Sequence, residues 1–164
     1  MIDSSKNIMH YIENNIAYIK LNNPKKLNAI NLDMRKNISY ILKDIDNNNK
    51  VRCLVLRGEG NKAFSAGADI SEFDENRSRI EEVKKYDHAS KNSMKLLQNI
   101  SIPTIAIIDG YCIGGGLATA LSCDLRFASE KSTFAIPAAK LGLAYDYAGT
   151  KRLRDIVGPS NAKH

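Results

Sequence analysis

The chain is predicted to fold as a single α/β domain over residues 1–164. Two observations point there. Runs of β-favouring residues alternate with segments whose apolar residues recur at helical spacing, and the order strand, strand, helix returns without any repeat in the residues themselves. Two of the runs, VRCLVLRG at 51–58 and TIAIIDG at 104–110, are short and almost continuously apolar, the pattern of strands buried on both faces.

Each element has its own signal. Residues 8–22, IMHYIENNIAYIKLN, hold two β-rich runs broken by Glu-Asn-Asn and read as a hairpin. Leu32, Met34, Ile38, Ile41, Leu42 and Ile45 follow at helical spacing, and the asparagine run at 47–49 supplies a stop. The apolar strand at 51–58 leads into a loop, GEGNKAFSAGADI. A polar helix is expected over about 80–100, and Pro103 separates it from the strand at 104–110. That strand feeds Gly114, Gly115 and Gly116, with a helix starting at Leu117. DLRFASE and STFAIP read as further strands, and a last helix runs from about residue 149 to VGPS.

Composition narrows the function. With 43% hydrophobic and 26% charged residues, 164 residues suffice for one globular domain with a core of its own. No segment is long and apolar enough to span a bilayer, and MIDSSKNIMHYIENN lacks the apolar centre of a signal peptide, so the expected location is the cytoplasm, without a membrane partner. Cys53, Cys112 and Cys123 lie in apolar runs without metal-ligand spacing and are expected as small buried hydrophobes. The net charge of +6 is spread along the chain, with only Lys25-Lys26 and the KRLR at 151–154 as short clusters. A phosphate-bearing small molecule accounts for it as well as a nucleic-acid groove would, and no nucleic-acid partner is expected. His10, His88 and His164 are scattered, and Tyr40 and Tyr86 are expected as half-buried packing residues on helices.

The glycine run carries the chemistry. A strand that passes through three glycines into a helix can present free N–H donors, reinforced by the helix dipole, to an anion or a developing oxyanion. The same glycines could serve only to pack strand against helix, and on the residues alone both readings stand. A Lys-Ser or Lys-Thr pair after the loop is absent, which excludes a P-loop, and three adjacent glycines do not match a dinucleotide fingerprint. A second small-residue turn, Ala66, Gly67 and Ala68, could aim another N–H at the same point.

NPKKLNAI, AFSAGADISEF, the whole stretch 102–143 and GTKRLRDIVG, taken in order, resemble the crotonase superfamily, the enoyl-CoA hydratases and isomerases, over nearly the full chain. The resemblance implies a spiral of β-β-α units that binds an acyl-CoA thioester and polarises its carbonyl, in fatty-acid or related metabolism. It makes the N–H groups of Ala68 and Gly115 the two donors. Lys26 and Leu27, with Lys25, fall in the segment lining the CoA entrance; Ala66, Asp69, Ile70, Ala118, Pro137 and Ala138 fall around the substrate. Coenzyme A belongs to the substrate, and neither a separate cofactor nor a metal is implied. Assembly as a trimer or hexamer is implied as well.

Hydratases of this superfamily carry glutamates where this chain has Ala118 and Ala138, and two methyl groups cannot activate water. Asp146 matches the position of a working aspartate in dienoyl-CoA isomerases and chlorobenzoyl-CoA dehalogenases of the superfamily. An apolar setting beside Tyr145 and Tyr147 would suit it to acid–base work; the alternative is a cap on the last helix. Asp69 reads as capping the turn after Ala68. Members continue past VGPS into helices that complete the acyl pocket and pack the trimer, whereas only NAKH follows here. The C-terminal helical region is therefore expected to be missing, with apolar surface such as Leu153 and Ile156 left exposed and association weakened. The alternative function is an acyl-CoA-binding remnant without turnover.

Overall fold

Asn14 and Asn15, at φ 49° and 63°, turn the chain tightly between β1 (Ile8–Glu13) and β2 (Ile16–Leu21). Two consecutive positive φ values match the right-handed twist of an antiparallel pair, and Ile8 faces Leu21 across it. The computed structural model describes residues 7–69, 71, 80–142 and 144–163. Ile70 and His164 lie outside the described residues.

Helix α1 (Leu32–Asp46) starts where the Asn31 side chain accepts the Met34 N–H at 2.8 Å. Its apolar stripe, Met34, Ile38, Ile41, Leu42 and Ile45, is buried as its spacing predicts. β3 (Cys53–Gly58) then runs parallel to β2, and β4 (Ala63–Ser65) leaves for a second sheet. α2 (Ile80–Asn99) packs along α1. The pattern returns with β5 (Thr104–Ile108), β6 (Tyr111–Ile113) and α3 (Gly115–Leu121), and again with β7 (Leu125–Ala128), β8 (Thr133–Ala135) and α4 (Tyr147–Lys163).

After the hairpin, each pair of strands gives one member to each sheet. The five-stranded sheet has the order β1-β2-β3-β5-β7 and the three-stranded sheet β4-β6-β8, with every pairing parallel except the hairpin. The strand–strand–helix recurrence in the sequence is thus one turn of a β-β-α spiral. The core lies between the inner face of the larger sheet and α1, α2 and α3, and includes Ile19, Leu54, Ala106, Leu97 and Leu121.

Several expectations change. β3 and β5 are not buried on both faces: Leu54, Leu56, Ala106 and Ile108 are covered, but Val55 and Ile105 are half-buried and Arg57 and Ile107 exposed. The helices that fill the core lie against one face only. The glycines are fed by β6 in the smaller sheet rather than directly by β5, and α3 begins at Gly115 rather than Leu117. The last helix starts at Tyr147, capped by Asp146, and is kinked at Gly158 (φ 80°) before Pro159. Leu153 packs against the core while Ile156 is 40% exposed, and Tyr40 is 70% exposed rather than half-buried. Among the described residues, no helix is long and apolar enough to cross a membrane.

Candidate functional site

The three glycines stand in three different settings. Gly114 has φ 51° and ψ −118°, a backbone that side-chain-bearing residues avoid, and its N–H donates to Ala135 O at 2.8 Å, tying the turn to the end of β8. Gly116 is a packing glycine: a Cβ there would lie 2.6 Å from Ser65 O and 2.7 Å from Ser65 Cβ. Gly115 sits between them as the first residue of α3, where an N–H has no intrahelical acceptor.

The other loop is clamped from behind. Ile30 forms a parallel bridge with Ala68: its N–H donates to Gly67 O at 2.7 Å, and its carbonyl accepts from the Asp69 N–H at 3.1 Å. In that geometry the N–H of Ala68 itself points away from Ile30. The Ala66 N–H donates to Leu27 O at 2.9 Å, so half-buried Leu27 holds the loop by its backbone. Buried Asn28 fastens the same segment to Ala63 O at 2.7 Å. The two loops meet. A Cβ on Gly115 would lie 3.6 Å from Ala68 N, and a Cβ on Gly67 would lie 3.4 Å from Gly115 N. Two such donors can hold one oxygen atom on which negative charge develops.

Polar groups around this point are already committed. Asp69 is buried and accepts from Lys26 Nζ at 2.8 Å and from Ser71 Oγ at 2.7 Å. Burial opposes its ionisation, but the hydrogen bonds from Lys26 and Ser71 and the Lys26 charge outweigh it and hold the pKa below the usual carboxylate value. Lys26, half-exposed, therefore serves the loop, while Lys25 is exposed.

A cleft of about 1140 Å³ opens in front of Gly115, bounded by α2, α3 and α4, with Ala118, Met94, Tyr145 and Asp146 in its wall. Ala118 contributes a methyl group. Pro137 and Ala138 are half-buried just past β8 and are not part of this wall. Asp146 Oδ1 accepts the Gly149 N–H at 2.7 Å, and its Oδ2 lies 4.0 Å from Lys91 Nζ. The carboxylate is 48% exposed and Tyr147 is 80% exposed, so the apolar setting expected around Asp146 is absent. Cys112 and Cys123 are buried, which pushes each thiol up to about 12; Cys53 is half-buried.

Two residues beside the glycine turn have no counterpart in the expected site. Tyr145 donates from its hydroxyl to Gly114 O at 3.3 Å. Arg35, 1% exposed, donates from Nη1 to Thr119 Oγ1 at 2.9 Å and from Nη2 to Gly115 O at 3.2 Å. Arg35 falls on the apolar stripe of α1, three residues before Ile38 and seven before Leu42; a cation at such a position is the signal that could have marked it.

Residues 11–164 match the sequence profile of the Enoyl-CoA hydratase/isomerase family. A short-chain-enoyl-CoA hydratase of Clostridium acetobutylicum is 37% identical over 157 residues, covering 96% of this chain and 59% of that protein. A mitochondrial Delta(3,5)-Delta(2,4)-dienoyl-CoA isomerase of Dictyostelium discoideum is 32% identical, over 90% of this chain and 53% of its own length. Among solved structures, an enoyl-CoA hydratase/carnithine racemase from Magnetospirillum magneticum superposes with a TM-score of 0.91 at 34% identity, over 97% of this chain and 60% of that one. The chain thus spans somewhat more than half the length of these relatives.

Proposed function

The chain belongs to the enoyl-CoA hydratase/isomerase family, and from that premise we propose that it binds an acyl-CoA thioester and polarises the thioester carbonyl between the N–H groups of Ala68 and Gly115. The observation that carries this reading is the meeting of the two loops, with the Cβ position of Gly115 only 3.6 Å from Ala68 N. Donors fixed by a β-bridge on one side and a helix start on the other need no rearrangement as charge moves onto the oxygen, so they stabilise the charged species more than the neutral carbonyl. Polarisation withdraws electrons from the acyl chain. It acidifies the α-carbon and makes the β-carbon of an enoyl group electrophilic.

Which reaction follows depends on the acid or base in the cleft. Ala118 in the cleft wall and Ala138, past β8 and outside that wall, offer none, so water is not activated from those positions and syn hydration is expected to be slow. Of the aspartates that line the cleft, Asp87, Asp124, Asp146 and Asp155, Asp146 is the one next to Tyr145, which favours proton transfer within the acyl group, as in an isomerase or lyase, over hydration. A second reading, a protein that holds acyl-CoA without turnover, is favoured by the engagement of Asp146 in capping α4. Calorimetry with acetyl-CoA and butyryl-CoA against the free acids tests the common premise: thioesters should bind and free acids should not. Negligible heat with both thioesters would refute it.

A further inference from the structure

Among the described residues two charged side chains are buried, Asp69 and Arg35, and only Asp69 has a partner of opposite charge. Arg35 donates to two neutral oxygens, Thr119 Oγ1 and Gly115 O, and its Nε is buried with no acceptor. A desolvated guanidinium without a counter-ion is costly to keep, whereas an apolar side chain at this point of the α1 stripe would cost nothing of the kind. Its place suggests what offsets the cost. The position a Cβ would take on Gly115 lies 3.2 Å from Arg35 Nη2 and 3.6 Å from Ala68 N, so the cation stands beside the point on which the two loops converge.

We propose that Arg35 is the standing counter-charge of the oxygen held by Ala68 and Gly115 as negative charge builds on it. The inference rests on the acyl-CoA reading above and adds a residue to that site. A neutral carbonyl gains little from a nearby cation, but an oxygen that takes on full negative charge beside a buried guanidinium gains much. When a base takes the α-proton, the electron pair of the C–H bond moves into the Cα–C bond and the carbonyl π pair onto the oxygen. No oxidant or second reactant is needed. Arg35 acts here as a positioning residue: through Gly115 O and Thr119 it fixes the first turn of α3, and it supplies charge without touching the substrate. The titratable group facing this point from the segment before α4 is Tyr145; burial and then Asp146 raise its pKa, against a smaller lowering by Arg35, so it stays neutral at the pH values of the test.

Acetoacetyl-CoA reports the effect directly, because its enolate absorbs in the near ultraviolet. Titrated on the full chain, bound ligand should enolise with a midpoint at least about one pH unit below that of free ligand, a tenfold shift in the equilibrium. Arg35→Gln keeps a polar side chain but removes the charge, and should return most of that shift; Arg35→Lys keeps the charge and should retain most of it. A merely structural role would move the melting temperature of both variants and leave the midpoint of folded, ligand-bound protein unchanged. A folded Arg35→Gln chain with the wild-type midpoint overturns the proposal. If Arg35→Gln does not fold, wild type and Arg35→Lys still decide: a bound midpoint equal to the free one in either overturns it, and a depressed midpoint in both supports it. Failure of wild type to bind acetoacetyl-CoA at all would instead bring down the acyl-CoA reading, and this inference with it.

Discussion

Adding one methyl group at Gly115 and one at Gly116 should produce opposite phenotypes from adjacent residues. At Gly116 the new Cβ would lie 2.6 Å from Ser65 O and 2.7 Å from Ser65 Cβ, both on buried β4, so either the strand or the helix has to move. Overpacking of that kind costs about 1–3 kcal/mol. In a chain of this size each kcal/mol corresponds to roughly 2–4 °C, so Gly116→Ala should melt about 2–12 °C below wild type. At Gly115 the nearest atom to the new Cβ is the end of the Arg35 side chain at 3.2 Å, which can yield, and alanine is a better helix residue than glycine by about 0.5–1 kcal/mol. Gly115→Ala should therefore melt close to wild type.

Function should divide the other way. The Gly115 methyl would stand 3.6 Å from Ala68 N, against the volume in which an oxygen accepting from that N–H has to sit, about 2.7–3.2 Å from the nitrogen. Loss of one oxyanion donor costs roughly 10²–10³ in turnover, and crowding the oxygen should reach at least that range. Acetyl-CoA affinity should fall at least about tenfold in Gly115→Ala and disappear in Gly115→Val, whose β-branch adds two further methyls. Circular-dichroism melts and calorimetry on the same preparations measure both properties. If folded Gly115→Ala binds acetyl-CoA as wild type does, the two loops are not the binding site, and the glycines serve packing alone.

The other predictions concern the carboxylates and the missing glutamates. Crotonyl-CoA hydration, followed by loss of enoyl absorbance, should be slower than that of a glutamate-bearing hydratase by on the order of 10²–10⁴ for each missing group; an ordinary hydratase rate would show that another base has been recruited. Asp146→Asn keeps the cap on α4 and Asp146→Ala removes it, so a capping role predicts a loss of about 0.5–2 kcal/mol in urea unfolding for alanine only, while an acid–base role predicts that asparagine also abolishes turnover. Asp69 is held below its ordinary pKa, so its stabilisation is complete above the unfolded carboxylate value near about 3.9 and is lost as pH falls through the lower folded value. Urea midpoints measured from neutral pH down to pH of about 3 should show a shallower acid decline in Asp69→Asn than in wild type, and identical slopes would mean that the Lys26–Asp69 pair is not linked to folding.

What the sequence disclosed and what it hid divide along the range of the forces involved. The hairpin and α1 were legible because their causes are local: two asparagines that tolerate positive φ, and an apolar stripe ended by a cap and an asparagine run. β4 and β6 are three residues each, too short to carry a period of two, and exist only because β6 pairs with β4 on one side and with β8 on the other in a second sheet. The glycine run was visible as a feature, yet its meaning was not, since each glycine answers to a partner elsewhere: Gly114 to Ala135, Gly116 to Ser65, and Gly115 to Ala68 and Arg35. Arg35 was the hardest to see. Its hydrogen-bond partners Gly115 and Thr119 lie 80 and 84 residues away, and within α1 it passes for one more cation in a basic chain. Yet its cost was written in the helix pattern: the position belongs to the buried stripe, and a stable fold places a charge there only when something across the core makes use of it. In this β-β-α spiral α1 lies against the start of α3 on the same side of the larger sheet, so the residue that breaks the apolar pattern of the first helix points to the site built by later turns.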